Sequence, residues 1–415
     1  MIFRKKIDSH KYIRIALLGN QNNNHFALAR YLRDHGFDCR LLLFGDEDEH
    51  FSPKADAYDL DYQDWVIQTN WNAGSFSPSA SQIQEDVKDF DILIGCGWAP
   101  AFLQKAGIDL DVMIPYGWDI FQATFYKIVA PHKLAKRLSM VFYQRKGIRH
   151  TAVHHLTFNK KDDVYDARLR RLAPDARYWD NGVPMVYAPG YKKENLKKDL
   201  TKTHWSQEFI DIRNSVDFML VAHGRHFWTG NTILGKSNAS KGNDILISGW
   251  TLFCKRNPLL KKTLVFLEYG DSVKDSKRLI SELGVENTIK WLPKMYRKDL
   301  MPGLIMADMV AAEFVYSWIA GGVIYEALVA GKPLLTYRDN NLNCEEPSKL
   351  YPIYNASTSE EVAERLDEYI QDPSRGVQNG KIGKKWYEDE VVAKALGKYT
   401  QYIESRAKAL GKNAR

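Results

Sequence analysis

The segment Ser317–Leu335, SWIAGGVIYEALVAGKPLL, holds one acid, Glu326, and one base, Lys332, in an otherwise apolar run opened by Gly321 and Gly322. A carboxylate at the first turn of a buried helix is favoured by the helix dipole, so a cap is one reading of Glu326. The other reading is chemical. Adjacent glycines allow close backbone approach to a ligand, and an acid one turn further on can accept two hydroxyls. Phosphate at the glycines and a ribose diol at the acid is the layout of a nucleotide, each charged hydrogen bond being worth roughly 1.5–3 kcal/mol. Arg225 directly follows the apolar run DFMLVAHG, and Lys241 with Gly242 opens SKGNDILISGW. A guanidinium at a strand end and a lysine at a helix amino terminus make a cradle for a diphosphate. From these residues alone, two surface cations are an equal reading. Neither a Walker-type glycine loop nor a GxGxxG after the first strand occurs.

The first half of the chain offers other groups. Asp119, in PYGWDIF, is placed either to act as a general base or orient an acceptor hydroxyl, or to cap the helix that follows. Tyr116, Trp98 and Trp118 offer aromatic faces for a sugar, although packing is the usual fate of such residues. His25 ends the polar loop GNQNNNH, where Gly19 lets an acceptor or donor approach the first strand end. The Asp59/Asp61 and Asp109/Asp111 pairs have the spacing that holds a metal and a diphosphate in a different transferase fold. Here they sit in short polar connections and read as caps, so no metal site is expected.

The run VAHGR, KGNDILI, LVFLEYGD, LISELGVENTIKWLP, MADMV and GGVIYEALVAGKPLL resembles, in order and spacing over roughly residues 217–337, the donor domain of GT-B glycosyltransferases, especially family 4. The first half resembles that family more loosely, through the glycine after its first strand, DILIGCGWAPAFL, PYGWD and DNGV. The resemblance implies that Arg225 and Lys241 hold the donor diphosphate, Gly321 and Gly322 line the phosphates, and Glu326 takes the ribose. It also implies that the turn after TIKWL meets the base, that UDP is the favoured nucleotide, and that no metal or other cofactor is needed. Three departures stand out. Trp318 occupies the position of the first of two family glutamates that have seven residues between them. Tyr116-Gly117 replaces the family's His-Gly, which leaves Tyr116 and Asp119 as the catalytic expectation. About ten extra residues separate Arg225 from Lys241. The implied function is transfer of a sugar from a nucleoside diphosphate to a hydroxyl acceptor such as a glycan or lipid-linked glycan precursor. A nucleotide-sugar epimerase and a non-catalytic nucleotide-binding scaffold on the same fold are the alternatives.

The elements that must position these residues alternate along the chain. Apolar strand runs (IRIALLG, CRLLLF, DILIGCG, VMIPYG, HHLTFN, then DFMLVAHG, TLVFLEYG, TIKWLP, MVAAEF, PLLTY) are separated by segments of helical period, which predicts parallel sheets covered on both faces. A polar, lysine-rich stretch near residues 188–214 marks a junction. The fold class expected is α/β, two doubly wound Rossmann-like domains facing across a cleft. Residues 1–195 form an acceptor-binding domain, 196–388 a donor domain, and 389–415 a helix that crosses back to the first. Ligands bind such sheets at the carboxyl ends of their strands.

With 415 residues, 45% apolar and 26% charged, the chain has the composition of a globular protein. No run of about 18 apolar residues occurs, and MIFRKKIDSHKY lacks the apolar core of a signal peptide. The four scattered cysteines (Cys39, Cys96, Cys254, Cys344) read as free thiols in a reducing cytoplasm. The net charge of +7 is unevenly spread: no acid lies between Asp119 and Asp162, while Lys127, Lys133, Lys136, Arg137, Arg145, Lys146, Arg149, Lys160 and Lys161 do. With Phe121, Phe125, Tyr126, Phe142 and Tyr143 among them, the stretch reads either as a solvated helix face or as a surface for anionic headgroups or a phosphorylated acceptor at the inner face of a membrane. No nucleic-acid motif accompanies it.

Overall fold

The computed structural model describes residues 11–125, 131–156, 164–229, 240–340 and 349–415, with backbone only for 131–133. Cys344, Lys127, Lys160, Lys161, Tyr126, the side chain of Lys133 and most of the extra loop after Arg225 lie outside the described residues.

Seven strands, β1 (Arg14–Leu18), β2 (Asp38–Leu43), β3 (Val66–Gln68), β4 (Ile92–Gly95), β5 (Val112–Met113), β6 (Val153–His155) and β7 (Arg177–Trp179), form the first sheet in the order β3-β2-β1-β4-β5-β6-β7. Six more, β8 (Phe218–Ala222), β9 (Lys262–Glu268), β10 (Ile289–Pro293), β11 (Met309–Ala311), β12 (Leu334–Thr336) and β13 (Tyr354–Asn355), form the second in the order β10-β9-β8-β11-β12-β13. All pairings are parallel. The architecture is thus α/β with two doubly wound sheets. Central strands such as ILIG of β4 and FMLVA of β8 are buried at every position, because helices cover both sheet faces.

The chain order reverses between β1 and β4 in one sheet and between β8 and β11 in the other. At such a switch point the loops leave in opposite directions and open a crevice at the strand carboxyl ends. In the first domain α1 (Asn24–Asp34), α2 (Ala80–Val87), α3 (Ala99–Lys105), α4 (Pro131–His150) and α5 (Val164–Leu172) flank the sheet. The helix Lys394–Leu410 follows the second domain's fold yet packs on the first sheet. Tyr399 Oη bonds His155 Nε2 at 2.9 Å, Tyr402 Oη donates to Asp111 Oδ1 at 2.8 Å, and Lys412 pairs with Asp91 at 2.7 Å. Cys39, Cys96 and Cys254 are free thiols.

Candidate active site

A cleft of about 430 Å³ lies where the two switch points face each other. The second domain contributes Arg225, Lys241, Glu313, Trp318 and the backbone of Gly321–Tyr325, and the first contributes Asn22, Asn24, Tyr116, His155 and Gly182. Of the expected site residues, the fold brings Arg225, Lys241, Gly321, Gly322 and Tyr116 together here.

Arg225 leaves β8 into solvent, its guanidinium over the Phe227 ring at 5.5 Å, and no ion-pair partner is found for it among the described residues. Lys241 is held by its backbone, which donates to the Phe227 carbonyl at 2.8 Å and accepts from Phe314 N at 3.1 Å. Its ammonium pairs with Glu313, an acid just past β11 whose second oxygen has no hydrogen-bond partner among the described residues. Gly242 follows in the left-handed region (φ 68°), where a Cβ would stand 2.9 Å from Phe314 Cβ. Across the crevice, a Cβ on Gly321 or Gly322 would meet nothing within 4 Å. The helix Gly322–Val329 begins there, so its first N–H groups, which have no intrahelical acceptor, face an open cradle.

Glu326 sits behind that turn and is not among the residues lining the cleft. It is 8% exposed, accepts from Arg297 Nε at 2.7 Å, and lies 2.7 Å from His223 Nε2. Burial pushes this carboxyl up, but the Arg297 charge and the His223 hydrogen bond outweigh burial and hold it at about 2. Arg297 reaches on into the first domain, to Asp56 Oδ1 at 3.1 Å and the Asn22 carbonyl at 3.4 Å. The acid expected to face ribose is thus the centre of a buried charged cluster that spans both domains.

Asp119 departs from the geometry a base would need. It is fully buried and outside the cleft lining, its oxygens accepting from the backbone of Tyr116 at 2.9 Å and Gly97 at 3.3 Å. Burial raises it to about 7. In this position it ties the loop after β5 to the loop after β4. Tyr116 itself reaches the cleft beside Asn24, whose side chain acts on the Tyr116 hydroxyl.

Gly19 (φ 78°) also lies outside the cleft lining: a Cβ there would meet Cys96 Sγ at 3.1 Å, Phe44 at 3.1 Å and Glu47 Oε1 at 3.2 Å. Beside it opens a hollow of about 270 Å³ lined by Trp98, Trp118, Asp46, Glu47 and Asp48, with Glu47 raised to about 8 by burial. His25 is buried against the Gly19 carbonyl at 2.7 Å and lowered by burial to about 4. Asp59 accepts from Asp61 N at 3.4 Å, a local tie, whereas Asp111 does not cap a helix but joins Leu93 N of β4 to Tyr402 of the C-terminal helix.

Sequence reasoning missed Glu313, His223, Arg297 and Asn24. Glu313 and His223 carried a signal, each being the first strongly polar residue after a buried strand run. Arg297 carried none, since its partners lie in other elements and another domain.

No family model matches the chain, and no curated protein does. Solved structures do. HepE of Anabaena, in complex with UDP and glucose, covers 95% of this chain and 100% of its own at 16% identity, with a TM-score of 0.58. Sucrose-phosphate synthase from Thermosynechococcus elongatus covers 95% and 100% at 13% identity, with a TM-score of 0.56. A structure assigned as UDP-N-acetylglucosamine 2-epimerase, from Listeria monocytogenes, covers 89% and 90% at 12% identity, with a TM-score of 0.51. At these identities the likeness is one of fold, and the fold is the two-domain GT-B architecture.

Proposed function

We propose that this protein is a glycosyltransferase that moves a sugar from a nucleoside diphosphate, UDP favoured, to a hydroxyl acceptor on a glycan or glycan precursor. The observation that carries the reading is the convergence of Arg225, Lys241 and the open Gly321–Gly322 helix start on one side of an interdomain cleft. Negative charge grows on the diphosphate as the glycosidic bond breaks, and fixed cations and free N–H groups aimed at that charge lower the barrier. The opposite wall, with Tyr116 and Asn24, faces the other end of the donor and the incoming hydroxyl. Orientation of both substrates across the cleft is itself a large part of the rate. In this reading Asp119 is a positioning residue, holding Tyr116 through its backbone, and Glu326 accepts the ribose diol with lone pairs that Arg297 and His223 leave over. Trp318, at the cleft, offers an indole where the family resemblance implies a carboxylate, so the sugar on this side meets an aromatic face. The likeness to HepE with UDP supports the choice of nucleotide.

An epimerase is the second reading, favoured by the Listeria structure. It requires acid–base groups around the sugar, and this cleft offers His155, pushed by burial down to about 3, and Glu313, already paired with Lys241. Incubation with UDP-, GDP- and other nucleotide sugars without acceptor separates the readings. Slow release of UDP with free sugar is expected. Conversion to an epimeric nucleotide sugar would favour the second reading, and the absence of both together with nucleotide-induced stabilisation would leave a binding scaffold.

A further inference from the structure

Helix α4 presents a face that the transferase reading does not use. Leu134, Leu138 and Phe142 stand at i, i+4 and i+8, so they form one stripe along the helix. They are 40%, 42% and 55% exposed. Arg145 and Arg149 continue the same stripe through the second half of the helix, with Lys146 at its edge, all exposed. The exposed face therefore runs from apolar to cationic along its length, and the helix contains neither aspartate nor glutamate. The neighbouring α5 extends it: Arg171 is exposed and Val164 is 55% exposed, while Arg168 is turned inward, donating to the Ile120 carbonyl at 3.3 Å and Thr124 Oγ1 at 2.9 Å. Asp166 is the acid on α5.

The other face of α4 is anchored. Met140, Val141 and Ile148 are buried, and Gly147 packs so close to α3 that a Cβ would stand 2.3 Å from the Pro100 carbonyl. Gln144 accepts from Ala101 N and donates to the carbonyls of Gly97 at 2.9 Å and Asp119 at 3.2 Å. Tyr165 of α5 abuts Gly117 and lines the cleft. The exposed stripe is thus the back of the wall that carries Tyr116, and its three large apolar side chains in water cannot be traded for burial in the first domain's own core.

We propose that the α4–α5 face docks on an anionic lipid surface, with Leu134, Leu138 and Phe142 entering the headgroup boundary and Arg145, Lys146, Arg149 and Arg171 resting on the phosphates. Charge alone would suit any polyanion. The aligned apolar half selects a lipid, because only a bilayer gives those side chains an apolar phase next to a negative one. Among the described residues no helix is long and apolar enough to cross a membrane, so the attachment is peripheral. It does not depend on the transferase reading, although it would place the acceptor wall beside the lipid.

Co-sedimentation of the full chain with phosphatidylglycerol–phosphatidylcholine vesicles, and with phosphatidylcholine alone, tests it. Binding to the acidic vesicles is expected, falling as salt rises and the screening length shrinks to about 8 Å. The Leu138→Ser/Phe142→Ser and Arg145→Gln/Arg149→Gln pairs are each expected to weaken it by about tenfold or more, with unchanged circular dichroism. No sedimentation of the wild type at low salt, or equal sedimentation with neutral vesicles, would overturn the proposal, and both are read without any variant. Loss of binding in the arginine pair alone, with the Leu138/Phe142 pair binding normally, would overturn it too and mark a site for a soluble polyanion.

Discussion

Arg225 and Lys241 approach the same space from different electrostatic positions, since Lys241 already neutralises Glu313 and Arg225 has no such neighbour among the described residues. Arg225→Ala is expected to slow donor turnover about 10²–10³-fold, the scale of losing one preorganised charge stabiliser. Lys241→Ala should slow it more, because it also leaves the Glu313 carboxylate uncompensated beside a diphosphate. Adding Glu313→Gln to Lys241→Ala should then recover about tenfold or more, by removing that like charge. Turnover of UDP-glucose by the three proteins checks the order; a double variant slower than the single one would take Glu313 out of the site. Asp119→Asn addresses the opposite wall. The amide oxygen still accepts from one backbone N–H while its NH2 cannot accept from the other, which should cost about 1–3 kcal/mol of stability and little turnover. A general base would instead cost 10²–10⁴-fold in rate. The carboxyl is raised in the fold from 3.8 to about 7, so the folded state holds its proton more tightly than the unfolded chain. Its contribution to wild-type stability therefore declines as pH rises from about 4 to about 7. The stability gap to Asp119→Asn should be smaller at pH 8 than at pH 5, measured by urea unfolding.

Helix Asn243–Arg256 carries the Lys241 end of the site, and its orientation depends on close packing against helix Ser359–Gln371. Gly249 makes that approach: a Cβ there would lie 2.5 Å from Val362 Cβ and 2.7 Å from the Ser359 carbonyl. Alanine has the higher helix propensity, yet the helix pair must part to admit it. Gly249→Ala is expected to lower stability by about 1–3 kcal/mol, the usual cost of overpacking, and to lower the melting temperature accordingly. An unchanged or higher melting temperature would show that the two helices slide apart without loss. Helix Gly322–Val329 is different in kind: its starting glycines face open space, so substitutions there should alter ligand binding before they alter folding.

At the scale of the molecule, Arg297 joins the domains, holding Glu326 on its own side and Asp56 and the Asn22 carbonyl on the other. Removing one partner of a buried charged cluster costs about 3–5 kcal/mol, and Glu326→Gln should show that loss at neutral pH. If Glu326 also receives the ribose, UDP affinity falls about ten- to a hundredfold, two charged hydrogen bonds being weakened. Stability loss with unchanged UDP affinity, by calorimetric titration below the melting range, would make Glu326 an interdomain strut alone. Its folded pKa of about 2 lies below the ordinary 4.5, so its contribution is complete above pH 4.5 and vanishes as pH falls toward 2. The gap between wild type and Glu326→Gln should therefore close on acidification. The buried histidines add a separate acid weakness at higher pH. His25, His154 and His226 are lowered by burial to about 4 and His155 to about 3. The unfolded chain takes up these protons first, so stability should already fall as pH drops from about 6.5 to 4.

The alternation of apolar strand runs with helical segments is local information, since hydrophobic burial acts on each element's own period. It is enough to give two wound sheets in tandem, with cations and glycines placed just after strands. Strands β3, β7 and β13 escaped notice because two or three residues at a sheet edge need no apolar run. The direction and partner of each polar side chain were not legible in that way. Glu326 meets Arg297 and His223 across 29 and 103 residues, and Arg297 meets Asp56 across 241. Asp119 reads from the sequence as a cap or a base, and only the loop after β4 brings the Gly97 N–H beside it. Apolar pattern is written along the chain because water is excluded segment by segment. A charge finds its partner only after the sheets have ordered the loops, and that order is a property of the folded molecule.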